Sequence, residues 1–224
     1  MKILALEFSS ERRSVAVVAD GAVLGGAEES GGRSTRAFGL IERALSAAKM
    51  DREEIECLAL GLGPGSYAGI RVAVSIAQGW QVARGVRLVG VSGVECIARQ
   101  AQAAGLEGRV SILIDAQRNE FYFAAYETGK HLLRAVEPLR LIQMEEAGTL
   151  GASGQLLIWP DLLPRFPQGR VMLPDAGVLG QLASKRTDFV SGDQLEPIYL
   201  RATTFVKAPP ARVIPPLPIR SANR

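Results

Sequence analysis

Two apolar runs that each end in an acid set the plan of this chain: Ile3-Leu4-Ala5-Leu6-Glu7 near its start and Val110-Ser111-Ile112-Leu113-Ile114-Asp115 further on. Each is followed by a second apolar run that reads as a strand turning back. Ser14 to Val18 leads into Asp20-Gly21, which supplies the φ > 0 positions of a tight hairpin into Val23-Leu24, and Phe121 to Tyr126 is turned by Thr128-Gly129. Two weakly similar halves are therefore expected. Within the first, Phe38, Ile41, Leu45 and Ala48 repeat at a period near 3.6 and predict a helix from about Ser34, ended by Asp51. Ile55 to Leu62 reads as a strand, Gly63 to Gly69 as a turn, and Ile70 to Arg84 as a second helix. A strand over Val86 to Val91 precedes Ser92-Gly93-Val94-Glu95, whose Ser-x-x-Glu form predicts a capping box opening a helix to about Ala104. The second half is broken by Pro138, Pro160, Pro164 and Pro167; it offers a helix from about Asp175 to Lys185 and a closing strand near Pro197 to Leu200. The expected organisation is an α/β fold with an N-terminal lobe over residues 1–104, a smaller C-terminal lobe over 105–201, and a tail over 202–224.

The chain of 224 residues is 47% apolar, enough for a substantial core. Its two cysteines, Cys57 and Cys96, lie far apart without a CxxC spacing, which argues against a disulfide framework and fits a reducing cytoplasm. The first apolar run meets Glu7 too early for a signal-peptide core or a membrane span, so neither export nor insertion is expected. The net charge of +3 is concentrated at the end. Residues 202–224 hold Lys207, Arg212, Arg220 and Arg224 and no acid; setting these four aside leaves 22 of the 26 basic residues against 23 acidic ones. The same tail carries five of the 12 prolines, a composition expected to be extended and flexible, with a docking or RNA-contacting arm as the alternative.

The segment Gly63-Pro64-Gly65-Ser66 invites a phosphate-cradle reading, since glycine-rich turns before helices bind anions. No Gly-Lys-Ser/Thr follows, Ser66 stands where a dinucleotide fingerprint from Gly61 needs its third glycine, and Pro64 has no amide to donate, so the turn reads as structural. Glu7 and Asp115 can together organise a divalent ion held mainly by phosphate, or each can cap a turn or pair with an arginine such as Arg118. The only histidine, His131, falls in the hairpin of the second half, so a zinc peptidase with its several ligands is not supported. Ser66 lacks a Gly-x-Ser-x-Gly elbow, being followed by Tyr67 and Ala68, and both cysteines sit in apolar runs as small hydrophobes. What remains is surface. The helix over Ile70 to Arg84 is apolar on nearly all sides, and small residues at Ala73, Ala77 and Gly79 would admit another helix, with the Phe38-Ile41-Leu45 stripe alongside. Packing of both helices on their own lobe is the alternative.

Four segments carry a family resemblance: Ile3 to Ser10 with Ser14 to Val17, Gly61-Leu62-Gly63-Pro64-Gly65-Ser66-Tyr67-Ala68-Gly69-Ile70-Arg71, Asp115-Ala116-Gln117-Arg118-Asn119-Glu120-Phe121-Tyr122, and the late Pro197-Ile198-Tyr199-Leu200-Arg201. Together they resemble the TsaB (YeaZ) family over residues 1–201, with Gly63, Pro64, Gly65, Ser66, Gly69, Arg71, Asp115 and Arg118 as signature positions. This chain has Glu7 where members often carry Asp, and Tyr67-Ala68 where they often carry Phe-Thr. The resemblance implies the two-lobed fold of actin, the sugar kinases and the Hsp70 ATPase domain. It also implies a non-catalytic subunit in the synthesis of threonylcarbamoyladenosine at position 37 of ANN-decoding tRNAs. Expected partners are the catalytic paralogue TsaD, the small ATPase TsaE and, through the complex, tRNA, with a homodimer as an option for the isolated chain. The paralogue carries Asn-His-x-Glu-x-His where this chain has Gly93 and Ile97 in place of the histidines, so no catalytic residue and no metal ligand is nominated. ATP and a divalent metal are expected on the partner subunits, and no cofactor on this one. The implied interface is a helical bundle built on Phe38, Ile41, Leu45, Ile70, Ala73, Ala77 and Trp80. The rival readings are a weak ATPase or small-molecule kinase using Glu7 and Asp115 and, less favoured, a glycoprotease-like peptidase.

Overall fold

Lys2–Glu7 (β1) is buried along all but its first residue because both of its edges and both of its faces are covered. It pairs antiparallel with Arg12–Ala19 (β2) and parallel with Cys57–Gly61 (β4). Ala22–Ser30 (β3) and Arg87–Val91 (β5) complete a five-stranded sheet in the order β3-β2-β1-β4-β5. Successive side chains of a strand point to opposite faces. Leu4 and Leu6 accordingly enter one core with the helices Ala37–Ala48 (α1) and Tyr67–Arg84 (α2), whereas Ile3 and Ala5 enter another with Cys57 and Val89. The computed structural model describes residues 1–31, 36–150 and 154–200. The tail expected over 202–224, Arg201 and the predicted helix start at Ser34 lie outside the described residues.

The second sheet repeats the plan, with order β10-β9-β6-β7-β8. Its central strand Gly108–Asp115 (β6) pairs antiparallel with Glu120–Gly129 (β7) and parallel with Gln155–Ile158 (β9). Leu132–Gln143 (β8) and Arg170–Val171 (β10) form the edges, and a short helix, Met144–Ala147 (α4), follows β8. Helix Gly93–Ala103 (α3) lies on one face of this sheet, with Val94, Ile97 and Ala101 against Val110, Ile112 and Ile114. On the other face Phe121 meets Phe166 edge to face at 5.7 Å. Pro138, expected as a break, is carried within β8, beside the register shift opposite Phe123 to Ala125; an edge strand tolerates the missing donor.

Four expectations need correction. The second lobe does not run to residue 201, because the helix Ala176–Ala183 (α5) returns to the first sheet, where Ala176, Leu179 and Ala183 pack with Ile3, Ala5, Ala16 and Val18. The first lobe therefore comprises the described residues of 1–92 together with 175–200. No strand forms over 197–200; the chain there is irregular and is held to β4's exit by Ile198 N donating to Leu62 O at 2.8 Å. The Ser92–Glu95 capping box is absent: Ser92 Oγ has no partner among the described residues, and the Glu95 carboxylate turns instead to Arg186 at 3.4 Å. Helix α1 ends at Lys49, which takes φ 51°, and Asp51 instead opens a turn of 3-10 helix over Arg52–Glu54 through a capping box with Glu54.

The seat of α5 can be tested at Gly180, where an added Cβ would lie 2.5 Å from Val18 Cγ2 and 3.3 Å from Ala5 Cβ. Gly180→Ala should lower the urea-unfolding free energy by about 1–3 kcal/mol, as overpacked cores do. Unchanged stability would mean that α5 does not rest on β1 and β2 as described.

Candidate docking groove

The signature turn is built around two carbonyls at the exit of β1. A Cβ at Gly69 would overlap the Phe8 oxygen, and one at Gly65, whose φ is +149°, would overlap the Ser9 oxygen. With glycine at both places the turn closes down: Ser66 N donates to Ser9 O at 2.6 Å, and Ser66 Oγ caps α2 by accepting from Gly69 N at 3.3 Å. That cap starts α2 at Tyr67, three residues earlier than its apolar pattern suggested. The turn thus fixes where α2 begins and along which line it crosses the sheet.

Helix α1 packs chiefly on β2 and β3, where Gly25 lets it approach the strand closely, and α2 chiefly on β4. Over β1 the two helices stand apart, and the space between them is a groove of about 890 Å³. Phe38, Ile41, Leu45, Val72, Ile76 and Trp80 give it an apolar lining. Phe38 is 72% exposed and Val72 37%. One glycine from each helix faces the groove, Gly39 and Gly79, and among the described residues nothing lies within 4 Å of where a Cβ on either would stand.

Of the interface residues expected from sequence, Phe38, Ile41, Leu45 and Trp80 line this groove, although Ile41 and Leu45 are largely buried in its floor. Ile70, Ala73 and Ala77 require correction. They are buried to 1% exposure or less in the lobe's own core, because the small-residue stripe seats α2 on the sheet beneath it. Arg71 of the signature stands at the groove edge, its guanidinium 5.4 Å over the Tyr67 ring, which in turn meets Tyr199 at 5.2 Å. The sequence pattern missed the groove itself and Gly39, because periodicity shows which residues are apolar but not how far apart two helices settle.

The two strand-end acids are each engaged by a residue two positions on. Glu7 is fully buried and its Oε1 accepts from Ser9 N at 2.7 Å and from Ser9 Oγ, while Oε2 has no partner among the described residues and fills the space above Gly61. Asp115 accepts from Gln117 N at 2.9 Å and Gln117 Nε2 at 3.0 Å. Arg118 is exposed at the tip of that hairpin between Gln117 and Asn119, all three at positive φ. Among the described residues there is no cluster of three or more His, Cys, Asp or Glu side chains fit to hold a metal ion. His131 is exposed in the turn between β7 and β8. Both cysteines are free and buried, and burial pushes the Cys57 thiol up to about 11 and that of Cys96 up as well. Among the described residues no helix is long and apolar enough to cross a membrane.

Two mixed sheets, each with a central acid-ended strand flanked by one antiparallel and one parallel neighbour, and helices on their faces, define an α/β protein of the two-lobed actin-like ATPase fold. A family model described as TsaD, tRNA N6-adenosine threonylcarbamoyltransferase, matches residues 32–184. The tRNA threonylcarbamoyladenosine biosynthesis protein TsaB of Escherichia coli K12 is 30% identical over 95% of this chain and 100% of its own. The protein of the same description from Bacillus subtilis 168 is 28% identical over 62% of this chain and 60% of its own. The solved structure of YeaZ from Pseudomonas aeruginosa superimposes with a TM-score of 0.76 at 25% identity, covering 89% of this chain and 99% of that one. The chain belongs to the TsaB (YeaZ) family.

Burial is the largest influence on Glu7 and pushes its pKa above the ordinary carboxylate range, against the pull of the two bonds from Ser9. The unfolded chain ionises at the ordinary value and the folded chain only at the raised one, so stability contributed by this group falls as pH rises through the interval between them. Glu7→Gln keeps the carbonyl acceptor for Ser9 and removes the titration. Its melting temperature relative to the parent should therefore rise between pH 4 and pH 8; a constant or falling difference in calorimetry would show that Glu7 is ionised comfortably in the fold.

Proposed function

We propose that this chain acts in tRNA threonylcarbamoyladenosine biosynthesis as a non-catalytic subunit, docking its catalytic paralogue TsaD through the α1–α2 groove and meeting TsaE and tRNA within that complex. The observation that carries the reading is the pair Gly39 and Gly79. Glycine inside a helix costs about 1 kcal/mol relative to alanine. Here both face open space rather than a neighbour that would exclude a Cβ. A helix backbone entering the groove explains the arrangement, since small residues on both walls allow close approach over an apolar floor. The paralogue's two histidine positions are occupied by Gly93 and Ile97, both buried, and Ile97 packs into the core beside the second sheet. Of the two strand-end acids that would serve nucleotide chemistry, Glu7 is buried and Asp115 is engaged by Gln117, which favours a scaffold over an ATPase or kinase. On this reading ATP and a divalent metal belong to the partner subunits and this chain holds no cofactor of its own. Buried thiols without a disulfide fit a cytoplasmic setting.

Substituting the groove glycines separates docking from folding. Gly79→Leu restores a good helix former at a position with room for it, so the isolated variant should be as stable as the parent or more stable by up to about 1 kcal/mol. It should nevertheless fail to co-purify with the paralogue and fail to support tRNA modification in a reconstituted system. Full activity from the folded variant would remove the groove as the docking site. Phe38→Glu should behave in the same way, because Phe38 is already largely solvated and contributes little to the lobe's own core.

A further inference from the structure

The turn that starts α2 is held from both lobes. From the first lobe come the Phe8 and Ser9 carbonyls, which the turn closes onto. From the second come two contacts distant in sequence: Gly93 N, at the first position of α3, donates to Gly63 O at 2.8 Å, and the Trp159 ring lies over Gly65. A Cβ on Gly65 would stand 2.7 Å from Trp159 Cη2, so the far edge of the indole rests on bare backbone. Trp159 follows β9 directly and packs against the core that α3 makes with the second sheet. It is half-buried as a residue, yet its Nε1 is shut away from solvent with no hydrogen-bond partner among the described residues. A buried indole N–H ordinarily finds an acceptor, so packing alone holds the ring in this place. Moving off Gly65 would let Nε1 bond water, which offsets part of the lost contact.

We infer that Trp159 is an interlobe latch: seated on Gly65, its ring couples the second lobe to the start of α2, so that the seam between the lobes and the first turn of the helix open together. A ring present only to fill the second lobe's core has no need to reach the signature turn. The path of the coupling is short. Gly65 precedes Ser66, whose amide binds Ser9 O and whose Oγ caps α2, so a shift of Gly65 disturbs both bonds at once. A contact that breaks at partial cost is the kind of place where a fold opens locally, below its global unfolding free energy. The latch belongs to the chain by itself, whatever occupies the groove.

The chain has two tryptophans, Trp80 and Trp159, so Trp80→Phe leaves Trp159 as the sole indole emitter. In the folded variant acrylamide should quench Trp159 about fivefold more weakly than in the urea-unfolded chain. Sub-denaturing urea should raise this quenching and speed hydrogen exchange of the Ser66, Gly69 and Ile70 amides over one and the same range, before the amides of β1 follow. Trp159→Leu keeps an apolar side chain in the second-lobe core but ends short of Gly65. It should speed exchange at Ser66, Gly69 and Ile70 about tenfold or more and change the β1 amides less. Quenching of Trp159 in the native chain as strong as in urea overturns the latch. So does a Trp159→Leu chain in which the turn and β1 amides change by the same factor, the result for a ring that only fills a core, or in which neither changes. Should Trp159→Leu fail to fold, the urea comparison on Trp80→Phe decides: Trp159 exposed only when β1 exchanges overturns the coupling.

Discussion

Everything that α2 presents to solvent depends on the contact between the Gly65–Gly69 turn and the carbonyls of Phe8 and Ser9. Those carbonyls leave the sheet just beyond β1, where no further strand pairing is available to them, and the Ser66 amide satisfies Ser9 at 2.6 Å. A side chain at Gly65 or Gly69 would drive the turn off this seat. Because the same turn supplies the N-cap of α2, a displacement there would be transmitted along a rigid helix of 18 residues. At the far end Gln78 and Gln81 bind the backbone of Gly192, so the returning C-terminal segment braces the helix from the side away from the groove. A helix held at its start and along its back is one that can keep an open face without collapsing onto α1.

An open apolar groove is an expense for an isolated chain, and the sequence shows how the surrounding structure tolerates it. Ile41, Leu45, Ile70 and Ala73 already lie in one core with Leu4, Leu6 and Phe8, so the lobe's stability does not require the groove to be filled. The exposed apolar contribution is confined to a few side chains, chiefly Phe38 and Val72, below the scale at which a patch alone would force aggregation. Arginines and glutamates around the border keep it wetted at the edge. The groove therefore combines a floor that belongs to the fold with walls that stay exposed.

The parts of this architecture legible in the sequence were those governed by local rules. The acid-ended strands, the Asp20-Gly21 hairpin, the period of α1 and the turn before α2 all follow from neighbours a few residues apart, and each appears in the structure. The stripe Ala73, Ala77 invites a partner helix, yet small residues seat a helix equally well on its own sheet, and periodicity cannot say which surface comes closer. The return of α5 to the first lobe was illegible for a similar reason. Nothing local distinguishes a helix that packs on the preceding sheet from one that crosses back, and the fit of Gly180 against Val18 and Ala5 exists only in three dimensions. The Ser92–Glu95 box failed through competition, because Arg186, distant in sequence, offers Glu95 a charged partner.

The two strand-end acids, Glu7 and Asp115, show how local turns decide what a carboxylate can reach. A strand-end carboxylate serves a nucleotide or metal only if its oxygens are accessible, and here each is engaged by a residue two positions on. For Glu7 the closure is complete. Its unpaired Oε2 occupies the space that the missing side chain of Gly61 leaves, so the carboxyl acts as packing between β1 and β4 and is most easily accommodated when protonated. In the adjoining turn the Ser66 amide is taken by Ser9 O and the Gly69 amide by Ser66 Oγ. What the turn still controls is the placement of α2, and through α2 the width of the groove. The buried acid at the end of β1 and the turn beside it thereby support the walls of the groove.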